Sequence, residues 1–152
     1  MSQTYFDDIP VGWTKRVGEW ELEEAACITF ARQWDPQPFH TDPVAAAQSI
    51  YGGLTASSLQ LFAICTRLFF DFDAQVVVLA MLGKEAVRFP HPARVGEKLL
   101  YSTTCVEARA SRSKSDRGVV RLRDTLSDSA GQVVLSQDVD LMVARRPPSP
   151  TG

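Results

Sequence analysis

Histidine chemistry has two places to sit in this chain, His40 and His91. His40 ends the segment Asp35-Pro36-Gln37-Pro38-Phe39-His40. Two prolines restrict that stretch, so a carboxylate and an imidazole can be held close together without a regular element between them. Such a pair can take a proton from water and return it elsewhere, or it can simply cap and pack. His91, in Phe89-Pro90-His91-Pro92, reads as a surface histidine at a strand end. The segment 109–118 carries the cations Arg109, Arg112, Lys114 and Arg117, which suits either phosphate contact or a solvated hairpin loop. Gly52-Gly53 lacks the lysine and spacing of a phosphate loop and reads as a turn. Cys27, Cys65 and Cys105 are odd in number, far apart and set among apolar residues, so they read as buried free thiols with no metal-ligand spacing.

The elements that must position these residues follow from periodicity. Trp13–Trp20 reads as a strand and residues 22–34 as a helix, with Cys27, Phe30, Ala31 and Trp34 on one face. Pro36 and Pro38 stop that helix, and Asp42 followed by Pro43 opens a short one through Gln48. A second long helix, residues 55–70, is apolar on nearly every side and must be enclosed. Thr66 lies two turns after Ser58 on it, within reach of one pocket or packed in the core. Everything beyond reads as strand: residues 75–82, 84–89, 98–108, 118–127 and 132–144. In the last, Leu135, Val139, Leu141 and Val143 alternate with Ser136, Asp138 and Asp140. Residues 128–131 make a hairpin turn. The expected class is α+β, an antiparallel sheet wrapped around a long central helix, which matches the hot dog fold. One small sheet leaves an edge strand and a helix flank uncovered, so a homodimer is expected.

The chain has 152 residues, with 16 Lys+Arg against 18 Asp+Glu. That fits a single domain over residues 1–146 and a proline-rich tail over 147–152. The near balance of charge supplies no general attraction to nucleic acid or an anionic membrane. Met1 to Pro10 is acidic rather than leader-like. The longest apolar run, Leu59 to Phe72, is broken by Arg67 and Asp71 and is too short to span a bilayer. A cytoplasmic protein is expected.

The stretch from Phe30 to Pro43 resembles the MaoC-like dehydratases, also called R-specific enoyl-CoA hydratases. Asp35, Pro38 and His40 match the family's aspartate, proline and histidine. Residues 5–12 and Pro92-Ala93-Arg94-Val95-Gly96-Glu97 extend the likeness. Two positions depart from the family: Gln37 replaces its usual asparagine, and Ser57-Ser58 replaces its usual His-Gly. The resemblance implies hydration of a trans-2-enoyl-CoA thioester to an (R)-3-hydroxyacyl thioester. Asp35 and His40 would share a water, and the Ser58 N–H would hold the thioester oxygen. Ser57 and Gln37 are further substrate-binding candidates. Coenzyme A enters only as part of the substrate, with no separate cofactor or metal. The alternatives are an acyl-CoA thioesterase, which would need a carboxylate on the central helix, and a noncatalytic thioester-binding subunit.

Overall fold

The computed structural model describes residues 2–71 and 75–151; Met1, the end of the apolar run at Phe72, and the tail's Gly152 lie outside the described residues. In chain order the elements are β1 (Gln3–Thr4), a 3-10 turn (Phe6–Asp8), β2 (Thr14–Glu21), α1 (Glu24–Trp34), α2 (Pro38–Thr41), α3 (Pro43–Ala47), α4 (Ser58–Phe69), β3 (Gln75–Val76), β4 (Val78–Arg88), β5 (Lys98–Ala110), β6 (Arg117–Ser127) and β7 (Val133–Ala144). Five strands form an antiparallel sheet in the order β2-β5-β6-β7-β4, and β1 pairs with β3 in a small parallel ribbon. The sheet's inner face packs on α4, which is the hot dog arrangement.

Alternation fixes which side of each strand faces α4. On β6, Gly118, Val120, Leu122 and Leu126 are buried, while Arg121 and Arg123 point outward. Their guanidinium groups meet Asp140 and Asp138 on β7 in two-pronged pairs at 2.8–3.1 Å, so the expected outward carboxylates are cross-strand partners. The turn at 128–131 closes as expected, with Gly131 at φ +81 and its N–H on the Asp128 carbonyl. From α4, Leu61, Ile64, Leu68 and Phe69 enter the core. At roughly 1.5–3 kcal/mol for each large side chain, this burial outweighs the helix's own weak propensities.

Three expectations change. The strands over 75–82 and 84–89 are one continuous strand, β4, preceded by the two-residue β3. Register shifts at Gly83 and again before Arg88 bend β4 without ending its pairing to β7. The face predicted for α1 holds at Cys27 and Ala31, but Trp34 on the last turn is 60% exposed. Enclosure of α4 is one-sided: Leu59, Ala63, Thr66 and Phe70 lie on an exposed flank, and Leu79, Met81 and Leu82 are exposed on the edge strand β4. At the chain's end, Arg145 and Arg146 pair with Asp7 and Asp8, while residues 147–151 carry no regular structure. No helix of the described residues is long and apolar enough to cross a membrane.

Candidate active site

The Asp35–His40 segment is more ordered than a proline-restricted loop. Pro38 occupies the first turn of α2, where its missing N–H costs nothing, and His40 lies inside that turn. The Gln37 carbonyl accepts from the His40 N–H at 2.9 Å, and the Pro38 carbonyl accepts from the Asp42 N–H at 2.9 Å. Asp42 then caps α3 through the Val44 N–H, as its position before Pro43 implied. Sequence reasoning missed α2 because four residues leave no periodicity; the proline that marked a break also starts this turn.

His40 is buried, and its ring is fixed at both nitrogens. Nδ1 lies 2.6 Å from the Thr55 carbonyl, which can only accept, so this nitrogen carries the proton. The Thr55 N–H in turn donates to the Phe39 carbonyl, which clasps α2 to the segment before α4. In the neutral ring Nε2 therefore keeps its lone pair, and it faces Asp35 Oδ2 at 3.4 Å. Two acceptors face one another there, a spacing that a water donating to both would bridge from the apex of a triangle with sides of about 2.8 Å.

Asp35 is held just as firmly. Its Oδ1 accepts from Gln37 Nε2 at 2.9 Å and its Oδ2 from the Ser57 hydroxyl at 2.8 Å. Partial burial pushes its carboxyl up, but the Gln37 and Ser57 hydrogen bonds and the His40 charge outweigh it and hold it below the usual carboxylate range. The glutamine that replaces the family's asparagine thus makes its hydrogen bond. Ser57 is fully buried and caps α4, its Oγ accepting from the Leu59 N–H while its proton goes to Asp35. It acts on the carboxylate and does not face the open space.

Those residues open onto a cavity of about 550 Å³ lined by Asp35, Gln37, Phe39, His40, Tyr51, Thr55, Ser58, Leu61, Phe89, His91 and Val134, among others. Ser58 is the first residue of α4, and its N–H has no partner among the described residues. A free donor at the positive end of a 12-residue helix beside a carboxylate–imidazole pair suits a developing oxyanion. His91 lies on the exposed loop expected of it and at the same time lines this wall; its Nδ1 lies 3.1 Å from the Val133 carbonyl. Nothing local to Pro90-His91-Pro92 signalled this, because the wall is assembled from distant segments: residues 93–95, just after it, pair with residues 54–56. Thr66 lines a different cavity, and its hydroxyl donates to the Phe62 carbonyl. Arg109, Arg112 and Arg117 surround a separate hollow at the opposite end of β5 and β6. Arg117 pairs with Ala144, ten residues along β7 from Val134. At about 3.3 Å per residue, that loop is out of reach of the first cavity within one chain.

Comparison with known proteins identifies the family and the fold. The family model of the MaoC like domain matches residues 9–127. Protein MaoC of Klebsiella aerogenes is 30% identical over 112 residues, and the match takes in 73% of this chain and 33% of that protein. The chain thus spans about a third of that relative's length. A MaoC-like dehydratase from Rhodospirillum rubrum superimposes with a TM-score of 0.87 at 33% identity, over 95% of this chain and 99% of that one. The unliganded R-hydratase PhaJ1 of Pseudomonas aeruginosa shares the fold, with a TM-score of 0.73 at 19% identity over 97% and 96% of the two chains. On the matched domain and the whole-chain superposition, this protein belongs to the MaoC-like dehydratase family.

Proposed function

We propose that the protein is a hydro-lyase that interconverts trans-2-enoyl-CoA and (R)-3-hydroxyacyl-CoA thioesters. The carrying observation is the pair of facing acceptors: His40 Nε2, left bare by the Nδ1 bond to Thr55, stands 3.4 Å from an Asp35 carboxylate kept ionised by Gln37 and Ser57. A water shared by the two is oriented for attack. In the hydration direction its oxygen bonds to C3 and its proton passes to His40 Nε2. The C2=C3 electron pair moves toward the thioester carbonyl, and the Ser58 N–H stabilises the enolate-like oxygen. A proton delivered to C2 from the Asp35–His40 pair completes the addition. Dehydration reverses each step. The pair supplies both acid and base, so the reaction needs no cofactor beyond the coenzyme A of the substrate.

A thioesterase reading would require a carboxylate on α4 to activate water. Residues 58–69 contain none, and Arg67 is the helix's charged side chain. The test is a panel of trans-2-enoyl thioesters followed by loss of their conjugated absorbance. Turnover of at least one is expected. A folded protein that hydrates none of them, or that releases free thiol instead, would overturn the assignment.

The same reading includes self-association. Exposed Leu59, Ala63 and Phe70 on α4, and exposed Leu79, Met81 and Leu82 on edge strand β4, are apolar surface that a second copy would cover, and Met81 and Phe70 line one cavity together. Light scattering at micromolar concentration is expected to give twice the mass of the 16.8 kDa chain. A stable monomer would count against it.

A further inference from the structure

A second cavity, of about 180 Å³, lies against the later turns of α4. Its walls are largely apolar, with Cys65, Phe69, Leu122 and Val139 among them, yet besides Thr66, whose hydroxyl donates to the Phe62 carbonyl, three polar side chains also line it: Lys84, Asp124 and Gln137. These three form one connected chain. Lys84 Nζ donates to Gln137 Oε1 at 3.2 Å, and Gln137 Nε2 donates to Asp124 Oδ2 at 3.0 Å. The Tyr101 hydroxyl donates to the other Asp124 oxygen at 2.9 Å. Asp124 and Gln137 are 6% and 1% exposed, on inward positions of β6 and β7 whose neighbours are Leu122, Leu126, Leu135 and Val139. Burying a carboxylate and an amide there costs more than an apolar residue would, and the proposed hydration uses neither.

Lys84 is the end of this chain that still has capacity. An ammonium has three donors. Gln137 takes one, and the ring of Phe62 lies 5.3 Å from Nζ. The cavity also lies further along α4 than the first one. Leu61 lines the first and Cys65 the second, one turn further along the same buried face of α4. From Ser58 to Cys65 the helix advances about 10 Å. A ring contact links the two walls: Phe89, in the wall of the first, and Phe62, beneath Lys84 of the second, lie edge-on with centroids 5.7 Å apart. Both rings are partly exposed, so rotation can part them.

We propose that the second cavity receives the far end of the acyl chain, and that Lys84, backed by Gln137 and Asp124, selects a chain bearing an oxygen there. The preferred ligand class is an enoyl thioester of medium length with a distal hydroxyl, carbonyl or carboxylate. This inference rests on the hydratase reading. It is tested by kcat/KM on trans-2-octenoyl-CoA against its ω-hydroxy and ω-carboxy counterparts, with trans-2-butenoyl-CoA as a substrate too short to reach the second cavity. At least one oxygenated chain is expected to exceed plain octenoyl by roughly tenfold, the worth of one well-made buried hydrogen bond. Lys84→Met should bring that ratio close to one, and Lys84→Arg, which keeps a donor, should retain a preference. Because the ratio is taken within each protein, a loss of folded material cancels. Equal or poorer use of both oxygenated chains by the unaltered protein overturns the proposal, and so does a preference that survives Lys84→Met. Turnover of butenoyl without an oxygen preference sinks this inference alone. No turnover of any of the four sinks the hydratase reading and this inference together.

Discussion

Two aspartates lie along the same working surface of α4, and their environments drive them in opposite directions. Asp35, at the helix's start, is pushed up by partial burial, but hydrogen bonds from Gln37 and Ser57 and the nearby His40 charge bring it below its ordinary value. Asp124, under the helix's middle, also accepts from two side chains, Gln137 and Tyr101. There burial dominates and holds the carboxyl above its ordinary value. The number of hydrogen bonds is therefore not what separates them. Depth is: Asp35 opens onto a large cavity, whereas Asp124 sits inside the sheet's inner face, where its ionised form is poorly solvated. One carboxylate is set up to stay charged beside a base, and the other anchors a polar chain inside the core.

The comparison breaks most easily at the catalytic pair. Asp35→Asn and His40→Gln are each expected to lower kcat by roughly 10²–10⁴, the usual scale for one positioned acid–base group. The double substitution should lose far less than the product of the two, because both act on one water. Melting temperature and kcat measured on all four proteins decide the point. Variants that melt early but keep near-normal kcat would make the pair a structural contact.

Asp124 should show the opposite balance, with its main loss in stability. Asp124→Leu removes the carboxylate to which the Tyr101 hydroxyl and the Gln137 amide donate, at about 1–3 kcal/mol for the loss of a buried acceptor. For a chain of this size, 2 kcal/mol lowers Tm by roughly 4–8 °C. Asp124→Asn keeps one acceptor and should cost less. Equal Tm for the leucine variant and the unaltered protein would mean that the polar chain contributes no stability.

Much of this was legible in the sequence, for reasons that particular residues show. The strands of the sheet, the capped helix after Asp42 and the closeness of Asp35 to His40 follow from short-range signals: alternation, a proline after a capping residue, two prolines in a short loop. The cavity wall at His91 was not legible, since it depends on chain segments far apart in sequence. Nor was α2, too short for a period. The Asp124–Gln137 chain did leave a trace. Asp124 interrupts the inward series Val120, Leu122, Leu126, and Gln137 interrupts Leu135, Val139, Leu141. A polar residue at an apolar position on two paired strands signals a buried contact. Its partner Lys84 sits on β4 beside the bend at Gly83, where alternation is lost and the sequence suggested two strands.

The smallest expected effect is on pH dependence, and there the two aspartates should differ in sign. The folded value of Asp35 lies below its ordinary 3.8. Its contribution to stability is thus fully present above that ordinary value and is lost as pH falls through the folded value. Asp124 is raised from the same 3.8, so the folded state holds its proton more tightly than the unfolded chain does. Between the ordinary and folded values the folded state binds more protons, and stability declines as pH climbs through that window. Urea midpoints of the unaltered protein, Asp35→Asn and Asp124→Asn across acidic pH would expose both. The advantage of the unaltered protein over Asp35→Asn should shrink on acidification below about 4, whereas its advantage over Asp124→Asn should shrink as pH rises from about 4. Slopes of the same sign for both variants would show that the two sites do not differ in the way their depths imply. A flat profile for Asp124→Asn relative to the unaltered protein would place the Asp124 carboxyl at its ordinary value, held there by Lys84 and its two donors in spite of burial.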